Sequence, residues 1–165
     1  MKTMIVLALV LLTGCGQTQL QILYVGVDVS ATAFSAGNPY DAIWAQVLSA
    51  VQPGEHVYAS LINDKGLSSG SPVIDFTIRP YNFLTDKTAE YDQAVKAKLA
   101  TQRQALADIL KRQAPSQRTE IIGFLHGASQ IFRSYPANAK KILLVFTDGL
   151  EEGELNLARY QVAAG

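Results

Sequence analysis

The stretch that most constrains the fold is the apolar run over residues 20–32, which is rich in Val, Ile, Leu and Tyr and ends with Asp28, Ser30 and Thr32. A continuous apolar run of this composition predicts a strand that is buried on both faces of a parallel sheet. In such sheets, ligands bind just outside the carboxyl ends of the strands. A carboxylate and two hydroxyls at that end are hard oxygen donors, which suit Mg²⁺ or a similar cation.

The rest of the chain alternates strand patterns with helix patterns. We predict further strands over about residues 55–62, 73–78 and 141–146, and helices over about 40–51, 85–114 and 119–134. The partly alternating pattern of 73–78 suits an edge strand that runs antiparallel to its neighbour. Strands separated by helices indicate right-handed βαβ units, so we predict an α/β, three-layer, Rossmann-like fold with a mainly parallel sheet and helices on both faces.

Two helices carry finer predictions. Thr85 or Asp86 is expected to cap the long helix, because short polar side chains accept hydrogen bonds from the first turn of a helix. In the helix that follows, the apolar spacing is expected to turn one stripe inward; its members are Ile121, Ile122, Leu125, Ala128, Ile131 and Phe132.

The composition is that of one ordered domain. The chain has 165 residues, 48% of them hydrophobic, which is enough to form a substantial core. Lys plus Arg equal Asp plus Glu at 14 each. Without a basic surplus, the chain is not expected to bind nucleic acid.

The first fourteen residues have the features of a secretory signal. Lys2 supplies a positive start, and the apolar segment over residues 4–12 is far shorter than the roughly 20 residues that span a bilayer. Residues 12–15, Leu-Thr-Gly-Cys, resemble the lipobox of bacterial lipoproteins. That resemblance implies cleavage before Cys15 and acylation of Cys15, whereas the simpler alternative is an ordinary signal followed by a chance cysteine.

These features predict a signal over residues 1–14, a lipid-anchored linker over 15–19 and a domain over 20–165. Gly16 stands where lipoproteins retained at the inner membrane of Gram-negative bacteria usually have Asp. By that resemblance, the expected location is the cell envelope, on the outer membrane facing the periplasm if the source is Gram-negative.

Three motifs lie far apart in the chain, each next to a predicted element: residues 25–32 (VGVDVSAT), 118–125 (RTEIIGFL) and 140–149 (KKILLVFTDG). Asp28 and Asp148 follow buried strands, and Thr119 precedes a helix, so the predicted topology brings all three to one rim. Together the motifs resemble the von Willebrand factor type A domain and its metal-ion-dependent adhesion site. The resemblance covers residues 20–149.

The resemblance implies a site formed by Asp28, Ser30, Thr32, Thr119 and Asp148, with Mg²⁺ as the expected ion, or Mn²⁺ or Ca²⁺ in its place. It further implies that the three hydroxyls contact the ion while the carboxylates act largely through water. An Asp or Glu side chain of a partner protein would take the open position. The implied function is that of a membrane-anchored, cation-dependent adhesion or scaffold domain and not that of an enzyme.

Simpler interpretations of each motif remain open. Asp28 with Ser30 is compatible with an ordinary turn, Thr119 with a helix cap, and Asp148 with a common Asp-Gly turn. At the level of function, one alternative is an interaction domain that works without metal. Another is a phosphatase-like hydrolase with Asp28 as nucleophile, although Ser30 stands where such enzymes have a second aspartate.

The chain departs from the family pattern in three places. Thr32 replaces a serine, which keeps the hydroxyl and adds a methyl group. Gln117 and Arg118 stand where the family often has glycines before the threonine. Few residues follow Asp148, so the C-terminal half of the usual sheet is expected to be missing and the strand over 141–146 is expected to lie at an edge.

Overall fold

The computed structural model describes residues 20–31, 40–64 and 72–147. The predicted signal, Cys15, Thr32 and Asp148 lie outside these described residues. The elements within them are β1 (Gln21–Asp28), α1 (Tyr40–Ala50), β2 (His56–Ile62), β3 (Ile74–Thr77), α2 (Thr88–Arg112), α3 (Ile121–Arg133) and β4 (Lys140–Phe146). None of these helices has the length and apolar character needed to cross a membrane.

The four described strands form one sheet in the order β3-β2-β1-β4. β1 is parallel to both of its neighbours, and β3 is antiparallel to β2. The predicted α/β class, the mainly parallel sheet and the antiparallel edge strand are therefore confirmed. Among the described residues β4 forms the other edge, as expected. We call the two ends of the sheet the amino end, where the parallel strands begin, and the carboxyl end, where they finish.

Helices cover both faces of the sheet, which gives the three predicted layers. Successive β1 side chains point to opposite faces, so Val25 packs with Trp44 of α1 and Leu106 of α2. On the other face, Tyr24 packs with Phe124 of α3. β1 is buried along nearly its whole length because it is central in the sheet and covered on both sides. This double cover explains its continuous apolar sequence.

The inward face of α3 differs from the predicted one. Ile122 and Leu125 are 37% and 38% exposed, whereas Phe124 is 0% exposed. The ring of Phe124 occupies the space above Gly26, where an added Cβ would overlap the ring atoms. The predicted inward placement of Ile122 and Leu125 is therefore wrong, because the missing side chain of Gly26 makes room for an aromatic ring at position 124.

The predicted cap of the long helix is also wrong. α2 begins at Thr88, and its N-cap residue is Lys87, without a side-chain capping bond. Asp86 instead accepts hydrogen bonds from both terminal nitrogens of Arg79, at 2.6 and 2.8 Å, and from the backbone N–H of Asn82 at 2.8 Å. A charged partner competes successfully with the helix for this carboxylate.

Candidate metal site at the carboxyl end of the sheet

Asp28 is the last residue of β1, and its carboxylate is fully buried. The backbone N–H of Ser30 donates a hydrogen bond to Asp28 Oδ1 at 2.8 Å. This local turn places the Ser30 side chain, which is also buried, beside the end of the strand. A buried carboxylate requires hydrogen-bond donors around it, since burying an unpaired charge costs several kcal/mol.

A second loop is attached to β1 next to this turn. The N–H of Ser116 donates to the carbonyl oxygen of Val29 at 2.8 Å, and the N–H of Ala31 donates to the carbonyl oxygen of Ser116 at 2.9 Å. The Ser116 hydroxyl accepts the N–H of Asp64 at 3.0 Å and donates to the carbonyl oxygen of Arg118 at 2.7 Å. Ser116, which lies outside the three sequence motifs, thus fixes the path of this loop between β1 and the end of β2.

The loop brings Thr119 to Asp28, with Gln117 and Arg118 directly before it. The buried Thr119 hydroxyl donates to Asp28 Oδ1 at 3.4 Å across 91 positions of sequence. The N-cap of α3 is Glu120, without a side-chain capping bond. The interpretation of Thr119 as a helix cap is therefore wrong, since its hydroxyl is used at the end of β1.

Thr147 is the site residue that sequence reasoning missed. Its hydroxyl donates to Asp28 Oδ2 at 2.6 Å. The signal was present, because a polar residue that directly follows an apolar parallel strand is expected at the carboxyl end of the sheet. The strand itself is half-buried and not fully buried as its apolar run predicted, because it lies at the edge of the described sheet. The strand register decides the contact: Val27 is opposite Phe146, so the residue after β4 lies level with Asp28.

Three of the five predicted ligands, Asp28, Ser30 and Thr119, are therefore brought together. Thr32 and Asp148 fall outside the described residues. Within the described part of the chain, no group of three or more His, Cys, Asp or Glu side chains is placed to hold a metal ion. The arrangement around Asp28 is of another kind, with one carboxylate and hydroxyls in place of several carboxylates.

This donor set fits a hard cation. A hydroxyl that donates its proton to a carboxylate still has two lone pairs, and these are oxygen donors of the type that Mg²⁺ prefers. The hydroxyl protons of Thr119 and Thr147 both point to Asp28, one to each carboxylate oxygen. The carboxylate therefore orients neutral oxygen donors, which would leave most of the charge of a bound ion available to a further ligand.

A second polar cluster lies at the opposite end of the sheet. His56 Nε2 is 2.6 Å from Asp75 Oδ1, and His56 Nδ1 is 2.7 Å from the hydroxyl of Tyr135, which is itself 2.7 Å from the hydroxyl of Tyr58. Burial and the hydrogen bond with Tyr135 raise the pKa of Tyr58 well above its usual range. The phenol therefore stays neutral at physiological pH. Through these hydrogen bonds the cluster links β2, β3 and the segment after α3, which is a structural connection.

A scan against protein-family models and a search of curated proteins found no match to this chain.

Proposed function

We propose that this protein is a membrane-anchored, divalent-cation-dependent protein-binding domain that resembles the von Willebrand factor type A domain. One observation carries the proposal. Two loops that are distant in sequence place the buried hydroxyl residues Ser30 and Thr119 around one buried carboxylate, that of Asp28, at the carboxyl end of a parallel sheet. That end is where α/β folds bind their ligands.

In this proposal Ser30 and Thr119 would supply hydroxyl oxygens to Mg²⁺, while Asp28 would hold the Thr119 hydroxyl and the backbone N–H of Ser30. Thr32 and Asp148 complete the proposed set on the strength of the sequence motifs. A bound ion would supply the positive charge that attracts an Asp or Glu side chain of a partner protein. Neutral ligands suit this purpose, because several direct carboxylates would cancel the charge of the ion.

A macromolecular partner is favoured by the surface beside the site. Ile122 and Leu125 lie one turn apart in the first half of α3, which begins just after Thr119, and both are more than one third exposed. Interaction surfaces of proteins commonly combine exposed apolar side chains with a few charged or polar contacts. The proposed ion would provide the charged contact, and these two side chains would provide apolar contacts beside it.

The membrane part of the proposal depends on the N-terminal sequence. An apolar segment that is too short to span a bilayer is followed by Leu-Thr-Gly-Cys over residues 12–15. We propose that Cys15 carries the lipid anchor and that the domain works at the bacterial cell envelope.

A metal-independent interaction domain is the second candidate. Both oxygens of Asp28 already accept hydrogen bonds from Thr119 and Thr147, and a network satisfied in this way is stable without an ion. A hydrolase with Asp28 as nucleophile receives no support from this geometry, because the carboxylate is fully buried and engaged by hydroxyls.

Thermal unfolding of the purified full chain tests the metal site. With Mg²⁺ at about 100 times its dissociation constant, ligand linkage contributes about 2.7 kcal/mol, which raises the Tm of a chain of this size by roughly 5–10 °C. We expect this rise in the unmodified chain and in Asp92→Asn, which removes an exposed carboxylate of α2. We expect Asp28→Asn and Thr119→Val to lose most of it.

The same variants test the partner. Under this proposal, a protein captured from envelope extracts of the source bacterium is retained with Mg²⁺ and released by a chelator. Capture is lost with Asp28→Asn and kept with Asp92→Asn. If neither Mg²⁺ nor Mn²⁺ changes the Tm of the unmodified chain and capture is insensitive to chelator, the metal-independent function is the correct one.

A further inference from the structure

The loop between β3 and α2 exposes two large apolar side chains next to each other. Phe83 is 79% exposed and Leu84 is 77% exposed, the highest values among the large hydrophobic residues of the described segments. We call this pair the apolar tip. Exposing two adjacent large apolar side chains carries a cost in water that a binding partner would remove.

The apolar tip is held by a well-defined set of hydrogen bonds. Arg79 binds Asp86 through two nitrogens, at 2.6 and 2.8 Å, and Asp86 also accepts the N–H of Asn82. Asn82 Oδ1 in turn accepts the N–H of Leu84 at 3.0 Å. The hydroxyl of Tyr91 donates to the carbonyl oxygen of Arg79 at 2.7 Å, which joins the loop to α2. The side chains of the tip are therefore presented by a fixed backbone.

The loop lies at the amino end of the sheet, where the described chain also begins. Directly before it, Ile78 is paired with the turn that precedes β2, through a bond from the N–H of Gly54 at 2.6 Å and one to the carbonyl oxygen of Glu55 at 3.2 Å. The carboxylate of Glu55 accepts the side-chain amide of Gln21, the first residue of β1. The apolar tip and the start of the domain are thus on the side opposite to the Asp28 site.

Distance along the chain ties this end of the sheet to the proposed anchor. From Cys15 to Leu20 there are five residue steps of at most about 3.6 Å, so the domain begins within about 18 Å of an acylated Cys15. We propose that the apolar tip inserts into the interface of the bilayer that holds the anchor, so that the Asp28 site faces away from the membrane. This inference rests on the proposed anchoring at Cys15.

The size of the apolar tip favours a bilayer over a protein surface. A stable contact between two protein copies buries about 800 Å² on each partner, which is far more than two side chains supply. A lipid interface needs no complementary shape, and an anchor nearby converts weak insertion into an intramolecular event. Charges around the tip are paired, Arg79 with Asp86 and Lys87 with Glu90. We therefore expect docking on zwitterionic lipid and little dependence on salt.

Tryptophan quenching measures this docking directly. The full chain is reconstituted with phosphatidylcholine vesicles whose acyl chains carry bromine, which quenches nearby tryptophan. Trp44, the only tryptophan of the chain, is buried and gives the same background in every variant. We expect the added fluorescence of Phe83→Trp to fall by about twofold or more relative to vesicles without bromine.

Two matched variants complete the test. Gln117→Trp adds an exposed tryptophan at the carboxyl end of the sheet, and we expect no quenching there. Leu84→Asp in the Phe83→Trp background places a charge beside the reporter and is expected to reduce the quenching. Equal quenching of Phe83→Trp and Gln117→Trp overturns the proposal, as does a concentration-dependent blue shift of Phe83→Trp without lipid, which indicates a second copy on the tip.

Flotation of the unmodified chain and of Cys15→Ser with the vesicles separates the anchor from the tip. A chain that floats through Cys15 while Phe83→Trp is not quenched overturns tip docking and leaves the anchor intact. Quenching of Phe83→Trp without any effect of Cys15→Ser on flotation supports tip docking and overturns the anchor. The absence of both signals overturns both.

Discussion

The two ends of the sheet place opposite kinds of side chain in unfavourable surroundings. At the carboxyl end, the carboxylate of Asp28 is fully buried, and the surrounding hydroxyls compensate for its lost hydration. At the amino end, charged side chains hold a loop in place while Phe83 and Leu84 remain in solvent. An uncompensated buried charge and an exposed apolar pair both cost stability, so each of the two proposals concerns a place where the fold gives up some of its own stability.

The contrast between buried and exposed side chains is tested most strongly by substituting two phenylalanines. Phe124→Ala removes a fully buried ring from the contact with Gly26, so we expect a loss of about 3–5 kcal/mol in the free energy of unfolding. Phe83→Ala removes a ring that is already exposed, and we expect a change within about 0.5 kcal/mol. Urea unfolding of both variants measures these values. A large loss for Phe83→Ala would show that the apolar tip is covered within the folded chain.

A smaller effect is expected from the hydroxyl that the sequence motifs did not reveal. Thr147→Val keeps the shape of the side chain and removes the donor to Asp28 Oδ2, which we expect to cost about 1–2 kcal/mol. Thr101→Val is the matched control, because its exposed hydroxyl donates to the carbonyl oxygen of Ala97 on its own helix, and we expect less than about 0.5 kcal/mol. Equal losses of unfolding free energy for Thr147→Val and Thr101→Val in urea would show that Thr147 is not part of the buried network.

The smallest expected effect is that of acidic pH on the stability of the loop that carries the apolar tip. The hydrogen bonds from Arg79 and then from the N–H of Asn82 hold the pKa of Asp86 below its ordinary value of 3.8. A lowered pKa stabilises the folded loop above about pH 3.8, and this stabilisation is lost as the pH falls through the lowered value. We expect cleavage by pepsin between Phe83 and Leu84 to accelerate in that window.

Asp86→Asn provides the check on this acid effect. Without the carboxylate, the loop is expected to be cut rapidly on both sides of pH 3.8, once rates are corrected for the pH dependence of pepsin on an unfolded peptide. Asp92→Asn, an exposed change on the adjacent helix α2, is expected to behave like the unmodified chain. If Asp86→Asn also matches the unmodified chain, the Arg79 pair does not hold the loop.

The strands were predictable because burial on both faces produces a continuous apolar run in the sequence. The central strands β1 and β2 appear in the sequence as continuous apolar runs, and the edge strand β3 as a partly alternating one. β4 is also a continuous apolar run, although it lies at the other edge of the described sheet. The face of α3 was not predictable in the same way. Apolar residues occur around much of this helix, so periodicity alone did not distinguish Phe124 from Ile122 and Leu125. Contact with Gly26 on another element decided between them.

The predictions of helix caps and hydroxyl contacts were wrong for a related reason. A short polar residue before a helix is a good cap in isolation. Here Asp86 instead binds Arg79 at 2.6 Å, and the Thr119 hydroxyl donates to Asp28 at 3.4 Å. Whether a hydrogen bond forms depends on the donor–acceptor distance to within a few tenths of an ångström. Sequence patterns locate the ends of elements only to within a few residues.

The sequence by itself determined which residues carry oxygen at the ends of the buried strands, and with them the α/β class and the general position of a site. Only the tertiary structure decided that Thr119 and Thr147 donate to the two oxygens of Asp28 across 91 and 119 positions of sequence. It alone placed the apolar tip at the opposite end, because strand order and register are set by packing of the whole sheet.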